Sequence, residues 1–255
     1  MDEFFIKKIK SNELTLGSWI TIGNPSIPEI MSYAGFEFLV IDMEHSIIGV
    51  QELQNMIRSI ELNNIFPLVR ITSNDEGLIA RCMDAGFFGV IVPQVNNKSD
   101  AVKAVRAAKY PPLGNRSVGL ARAQGYGFEF KQYMEKINKN SIVIVQIEHI
   151  DAINNIEEIL STEGVDGYIL GPYDLSASLN KSCKDIDYGK IENIEKKVLT
   201  VAKKNKKFPG YHIVHPDREI IKKKRDIGYR FLALGVDNIM LGEKCKEIMD
   251  TTRDI

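Results

Sequence analysis

Eight short apolar runs, each followed by an amphipathic stretch, recur from one end of this 255-residue chain to the other, and that rhythm is what most restricts its fold. The runs are Leu16 to Gly23, Glu37 to Met43, Phe66 to Ile71, Gly89 to Val95, Ile142 to Glu148, Gly167 to Gly171, Gly210 to Val214 and Arg230 to Leu234. Repeated βα units in this number predict one closed (β/α)8 TIM barrel, with residues 1–255 forming a single domain. A doubly wound open sheet uses the same alphabet. It is usually built from fewer strands and often carries GxGxxG after its first strand, a motif missing here.

Local signals mark the helix boundaries. Pro28-Glu29 lies in a first turn after Ser26, Asp75 precedes a helix ending near Ala85-Gly86, and Ser99 or Asp100 is expected to open Ala101 to Lys109. Glycine recurs where a helix gives way to a strand, at Gly35, Gly86, Gly164 and Gly228, as left-handed helix ends favour. The interval from Tyr110 to Asn140 breaks the rhythm with Pro111-Pro112 and several glycines, and reads as a long ordered loop over the barrel mouth.

A formal charge of -1 supplies no field for nucleic acid or an anionic membrane, so a small molecule is the expected partner. Cys82, Cys183 and Cys245 are far apart and odd in number, which speaks against a disulfide framework or zinc knuckle and fits a reducing compartment. No stretch approaches the roughly 18 apolar residues of a membrane span, and a cytoplasmic location is expected.

Catalytic groups of such barrels lie at the carboxyl ends of strands. There the sequence offers Asp42-Met43-Glu44-His45, Arg70, Gln146 with Glu148, and Gly171-Pro172-Tyr173-Asp174. Gln146 and Glu148, two apart on a strand, point to one face and call for a ligand or partner. Glu148 and Asp174 together suit a hard divalent cation, although Glu148 pairing with Arg70 and Asp174 capping a helix are the plainer alternatives. Arg70 is expected to face an anion or a developing oxyanion, or to form an ion pair with Asp42 or Glu44. His45 is a candidate base with Asp42 holding its ring. His149, His212 and His215 read as rim residues, and the lysine runs 203–207 and 222–225 as solvated faces. No strand core carries a Schiff-base lysine, and no glycine-rich phosphate cradle follows the last two strands.

In order and register, several motifs resemble the HpcH/HpaI family of class II, metal-dependent pyruvate aldolases. They are Asp42-Met43-Glu44-His45, Val69-Arg70-Ile71, Met83-Asp84-Ala85-Gly86, Tyr110-Pro111-Pro112-Leu113-Gly114-Asn115-Arg116, Gln146-Ile147-Glu148 and Gly171-Pro172-Tyr173-Asp174-Leu175-Ser176. The resemblance covers nearly the whole chain. It implies a divalent metal (Mg2+, Mn2+ or Co2+) on Glu148 and Asp174, no organic cofactor, and reversible cleavage of a 4-hydroxy-2-oxo acid to pyruvate and an aldehyde. His45 would act as base through a water with Asp42 behind it, Arg70 would stabilise the oxyanion, and Asp84 joins the implied catalytic set. Substrate contacts would come from Arg70, Gln146, Gly171, Pro172, Tyr173 and His212, with Arg122 approaching the site of a neighbouring subunit in a hexamer built as a trimer of dimers. Tyr173 and the His212 to His215 segment depart from the family's usual residues, a difference that bears on the substrate's tail and not on the chemistry. A citrate-lyase-like acyl-CoA lyase and a non-catalytic barrel are the rival readings.

Overall fold

The computed structural model describes residues 2–180 and 188–253. Eight parallel strands close in sequence order into a barrel: β1 (Thr15–Ile20), β2 (Phe38–Asp42), β3 (Phe66–Arg70), β4 (Gly89–Val92), β5 (Ile142–Ile147), β6 (Gly167–Leu170), β7 (Phe208–Ile213) and β8 (Phe231–Val236). Each coincides with a predicted run to within a few residues. Helix α1 (Asp2–Lys10) precedes β1, and α2 (Ser26–Ser32), α3 (Val50–Leu62), α4 (Glu76–Ala85) and α5 (Lys98–Ala108) follow the first four strands. Helix α6 (Phe130–Asn140) leads into β5; α7 (Ile150–Asn154) and α8 (Ile156–Ser161) follow it. Then come α9 (Pro172–Asn180) and α10 (Tyr188–Lys204) after β6, α11 (Arg218–Ile227) after β7 and α12 (Asp237–Asp250) after β8.

Side chains alternate across a strand, so every second residue lines the barrel. Phe38 and Val40, Phe66 and Leu68, and Ile142 and Ile144 fill its interior, while Leu39, Ile41, Val69, Val143 and Val145 lie under the helices. Continuing the same parity upward brings Asp42, Arg70 and Gln146 to the inner face of the mouth. Phe38 and Phe231 stack with centroids 4.0 Å apart, in room left by Gly17, where a Cβ would come within 2.4 Å of Phe38 Cδ2. Helix α1 closes the N-terminal end: Phe5, Ile6 and Ile9 are buried, and Phe5 stacks on Phe66 at 4.2 Å.

The four expected glycine helix ends have positive φ, 81° at Gly35, 118° at Gly86, 86° at Gly164 and 123° at Gly228. Asp75 caps α4 by accepting from the Leu78 amide at 2.7 Å. The cap of α5 is Asn97, not Ser99 or Asp100: Asn97 accepts from the Asp100 amide at 3.0 Å, and Asp100 reaches back to the Asn96 amide at 2.9 Å.

The Tyr110 to Asn140 interval is not a loop over the mouth. It contains a 3-10 turn (Arg122–Gly127) and α6, and it is tied to the opposite end of the barrel, where the returning helices finish. Arg122 forms an ion pair with Glu61 and donates to the Ala85 carbonyl at 3.1 Å, at the C-terminal ends of α3 and α4. Buried Arg116 pairs with Asp84 and lies over the Tyr110 ring at 4.5 Å. Helix α12 leaves its own barrel: residues 241–250 are all exposed, Leu241, Ile248 and Met249 among them. Cys82 is buried and Cys245 exposed, both as free thiols, while Cys183 lies outside the described residues. No described helix is long and apolar enough to cross a membrane.

Candidate active site

The parallel register pairs Asp42 with Arg70 at the ends of β2 and β3, so their side chains meet inside the mouth. Arg70 Nε donates to Asp42 Oδ1 at 2.8 Å and Nη2 to Oδ2 at 2.6 Å, a fork-to-fork ion pair that fixes the guanidinium plane. Its remaining Nη1 lies 3.3 Å from Gln146 Oε1 and 3.3 Å from Glu44 Oε2. Gln146 Nε2 in turn donates to Glu148 Oε2, and Glu148 Oε1 accepts from the Gln94 amide at 2.7 Å. A continuous polar chain therefore runs Asp42, Arg70, Gln146, Glu148 across the mouth. The Trp19 ring, 4.4 Å from the guanidinium carbon, backs it from β1.

Gly171 allows Glu148 to approach the sixth strand, because a Cβ there would fall 2.9 Å from Glu148 Cβ and 3.3 Å from its Oε2. Pro172 then opens α9, whose first turn carries Asp174 and exposed Tyr173 at the rim. Asp174 is exposed, and the described residues give its side chain neither a hydrogen bond nor an ion pair. Burial pushes the Glu44 carboxyl up to about 7; Arg70 opposes that shift, and Glu148, Asp42 and Asp174 reinforce it. Four carboxylates thus share one region with a single guanidinium.

This donor set fits a hard divalent cation: two carboxylates and neither thiolate nor imidazole, in a region with excess negative charge. Among the described residues no three acidic, histidine or cysteine side chains form a closed metal cage, so most coordination positions would be left to water and substrate.

His45 is exposed, with its Nε2 3.9 Å from Glu44 Oε2. Asp42 does not hold its ring as expected. Both Asp42 oxygens serve Arg70, and Oδ1 also accepts from the backbone amides of Glu44 at 3.0 Å and His45 at 3.3 Å. Asp42 orients Arg70 and the turn that carries His45. Asp84 is likewise absent from this mouth: it lies near the C-terminal end of α4, paired with Arg116, and Arg122 is at that same distant end. His212 does reach the interior, its ring centroid 5.2 Å from that of Trp19 and its Nε2 3.1 Å from the Gly235 carbonyl, to which it donates. Burial lowers its pKa to about 4. His149 caps α7 by accepting from the Asp151 amide at 3.2 Å, and His215 meets Glu243 at 2.8 Å on the rim.

Trp19 and Gln94 are site neighbours that no pattern in the sequence marked, and Glu44, expected at this strand end, carried no assigned catalytic role. Glu44 was visible only as a possible partner of Arg70, and Gln94 acts through its backbone, which no side-chain pattern reveals. The buried lysine among the described residues, Lys109, lies beyond the end of α5 on Ser141 and Asn138, not on a strand.

The HpcH/HpaI aldolase/citrate lyase family matches residues 15–242. A 4-hydroxy-2-oxo-heptane-1,7-dioate aldolase of Escherichia coli is 32% identical over 250 residues, 97% of this chain and 94% of that protein. A 2-dehydro-3,6-dideoxy-6-sulfogluconate aldolase of Pseudomonas putida is 34% identical over 94% of this chain and 93% of that protein. Among solved structures, an HpcH/HpaI aldolase/citrate lyase family protein of Burkholderia cenocepacia superposes with a TM-score of 0.91 at 28% identity, covering 98% of this chain and 99% of that one. The chain belongs to the HpcH/HpaI aldolase/citrate lyase family and is an aldolase-type carbon–carbon lyase.

Proposed function

We propose that the protein cleaves a 4-hydroxy-2-oxo acid reversibly to pyruvate and an aldehyde, with Glu148 and Asp174 holding a divalent cation. The observation that carries this reading is the polar chain from Asp42 through Arg70 and Gln146 to Glu148, which aims one fixed guanidinium at a cluster of carboxylates. A cation there would supply Lewis acidity to the 2-oxo-acid group.

The chain's own residues do the rest. Arg70, held by Asp42 and stacked on Trp19, presents a permanent charge toward the 2-oxo oxygen, where negative charge develops. Gln146 keeps Glu148 and Arg70 apart at fixed distance. His45, exposed at the rim, accepts the C4 hydroxyl proton through a water. As the C4 oxygen becomes a carbonyl, the C3–C4 bond breaks and its electron pair passes to C3, giving the pyruvate enolate. A proton returned to C3 yields pyruvate. The Tyr173 rim and His212 would meet the substrate's far end.

The test is a pyruvate-release screen across 4-hydroxy-2-oxo acids of varied length and charge, with malyl- and citramalyl-CoA in parallel. Exhaustive chelation is expected to abolish release, and Mg2+, Mn2+ or Co2+ to restore it. Full activity after chelation removes the cation, and turnover of the thioesters alone favours the acyl-CoA lyase. A homo-oligomer, in the family a hexamer built as a trimer of dimers, accompanies this reading; exposed α12 supports it, and Arg122 and Asp84 would then serve a neighbour's site.

A further inference from the structure

A cleft of about 800 Å3 opens at the N-terminal end of the barrel, between α10, α11 and the end of α1. The helices beside it are joined by side chains: Lys223 meets Glu192 at 3.0 Å and Lys224 pairs with buried Glu195. Its floor is apolar, with Ile9 and Phe208 buried and Leu199 and Ile227 flanking them. Its volume lies within the range of small-molecule pockets.

The charge of this cleft is one-sided. Seven lysine and arginine side chains line it against two acids, Glu192 and Glu195, both already engaged by Lys223 and Lys224. Lys10, Lys207 and Arg230 donate to backbone carbonyls, contacts that neutralise no charge, and of these Lys207 is partly offset by Asp166 and Glu163. Lys196, Lys203 and Lys206 are exposed and form no side-chain hydrogen bond or close ion pair among the described residues, although Lys196 shares the field of Glu192, one turn away. Lys196 and Lys203 stand seven residues apart on α10, about 10 Å along its axis. A single monoanion cannot span that separation. An anion with several charges in a row can, and a concave wall of one sign concentrates it.

We propose that this cleft is a binding site for a small organic polyphosphate, with its phosphates on Lys196, Lys203 and Lys206 and its organic body on the accessible part of the apolar floor, Leu199 and Ile227. Lys203, Lys206 and Lys207 of the first lysine run and Lys223 of the second are then the rim of one site, while the rest of both runs stays a solvated surface. This assignment stands apart from the aldolase reading and leaves the mouth untouched.

Isothermal titration of the full chain with ATP, inorganic triphosphate and adenosine tests it. Saturable ATP binding at about one per chain is expected, weakening as salt is raised, with triphosphate weaker and adenosine silent. The double substitution Lys203→Glu with Lys206→Glu, at exposed positions, should weaken ATP binding roughly ten-fold or more while leaving pyruvate release unchanged. Absence of saturable ATP binding, or equal binding by the double variant, overturns the site. Triphosphate binding as tightly as ATP overturns the role of the apolar floor.

Discussion

Gln94 holds a left-handed backbone, φ 54°, in a residue that gains nothing from it locally, and its amide is thereby delivered to Glu148. Such strain survives where surroundings over-determine it, and here they belong to the mouth. His212 is the second residue whose state is set by its place. Its pKa of about 4 lies below the ordinary 6.5, so between those values the folded chain binds fewer protons than the unfolded one. Stability present above pH 6.5 is therefore lost as pH falls toward 4. We predict that His212→Gln, which keeps a donor for Gly235, flattens this loss, by up to roughly 3 kcal/mol at the acid end. Urea unfolding at a series of pH values reads the difference, and parallel curves for the two proteins contradict it. The Arg70 ion pair with Asp42 was legible from strand-end positions only as the alternative to an oxyanion role. The displacement of Asp42 from His45 was not, because only the parallel register shows that Arg70 claims both carboxylate oxygens first.

At the scale of elements, strands were easier to read than anything that covers them. Their β-branched runs are fixed by burial on both faces, whereas α1 is a short helix whose value lies in plugging the barrel. Phe5, stacked on Phe66 and 5.9 Å from the Phe38 ring, carries that contact. Phe5→Ala is expected to cost about 3 kcal/mol of unfolding free energy in denaturant titration, the typical loss for a large aromatic removed from a core. The 110–140 interval misled for a related reason: its length and glycines signal function, but the ion pairs that anchor it, Arg122 to Glu61 and Arg116 to Asp84, span many residues.

For the whole molecule, the eightfold rhythm was sufficient to give the closed barrel, since each unit repeats the same local chemistry. Assembly is not written in that rhythm. It surfaces instead in α12, whose last ten residues, 241–250, are exposed with three large apolar side chains. Sedimentation is expected to give a mass well above the 28.8 kDa of one chain, and Ile248→Asp with Met249→Asp to lower it. A single-chain mass for the unaltered protein would refute a covered α12. The aromatic plug at the other end has a different outcome. With Phe5, Phe38, Phe66 and Phe231 filling its base, the barrel is a blind well with one doorway. Under the aldolase reading, the fragment nearest the doorway must depart before the one beneath it, so traffic through the mouth is first out, last in.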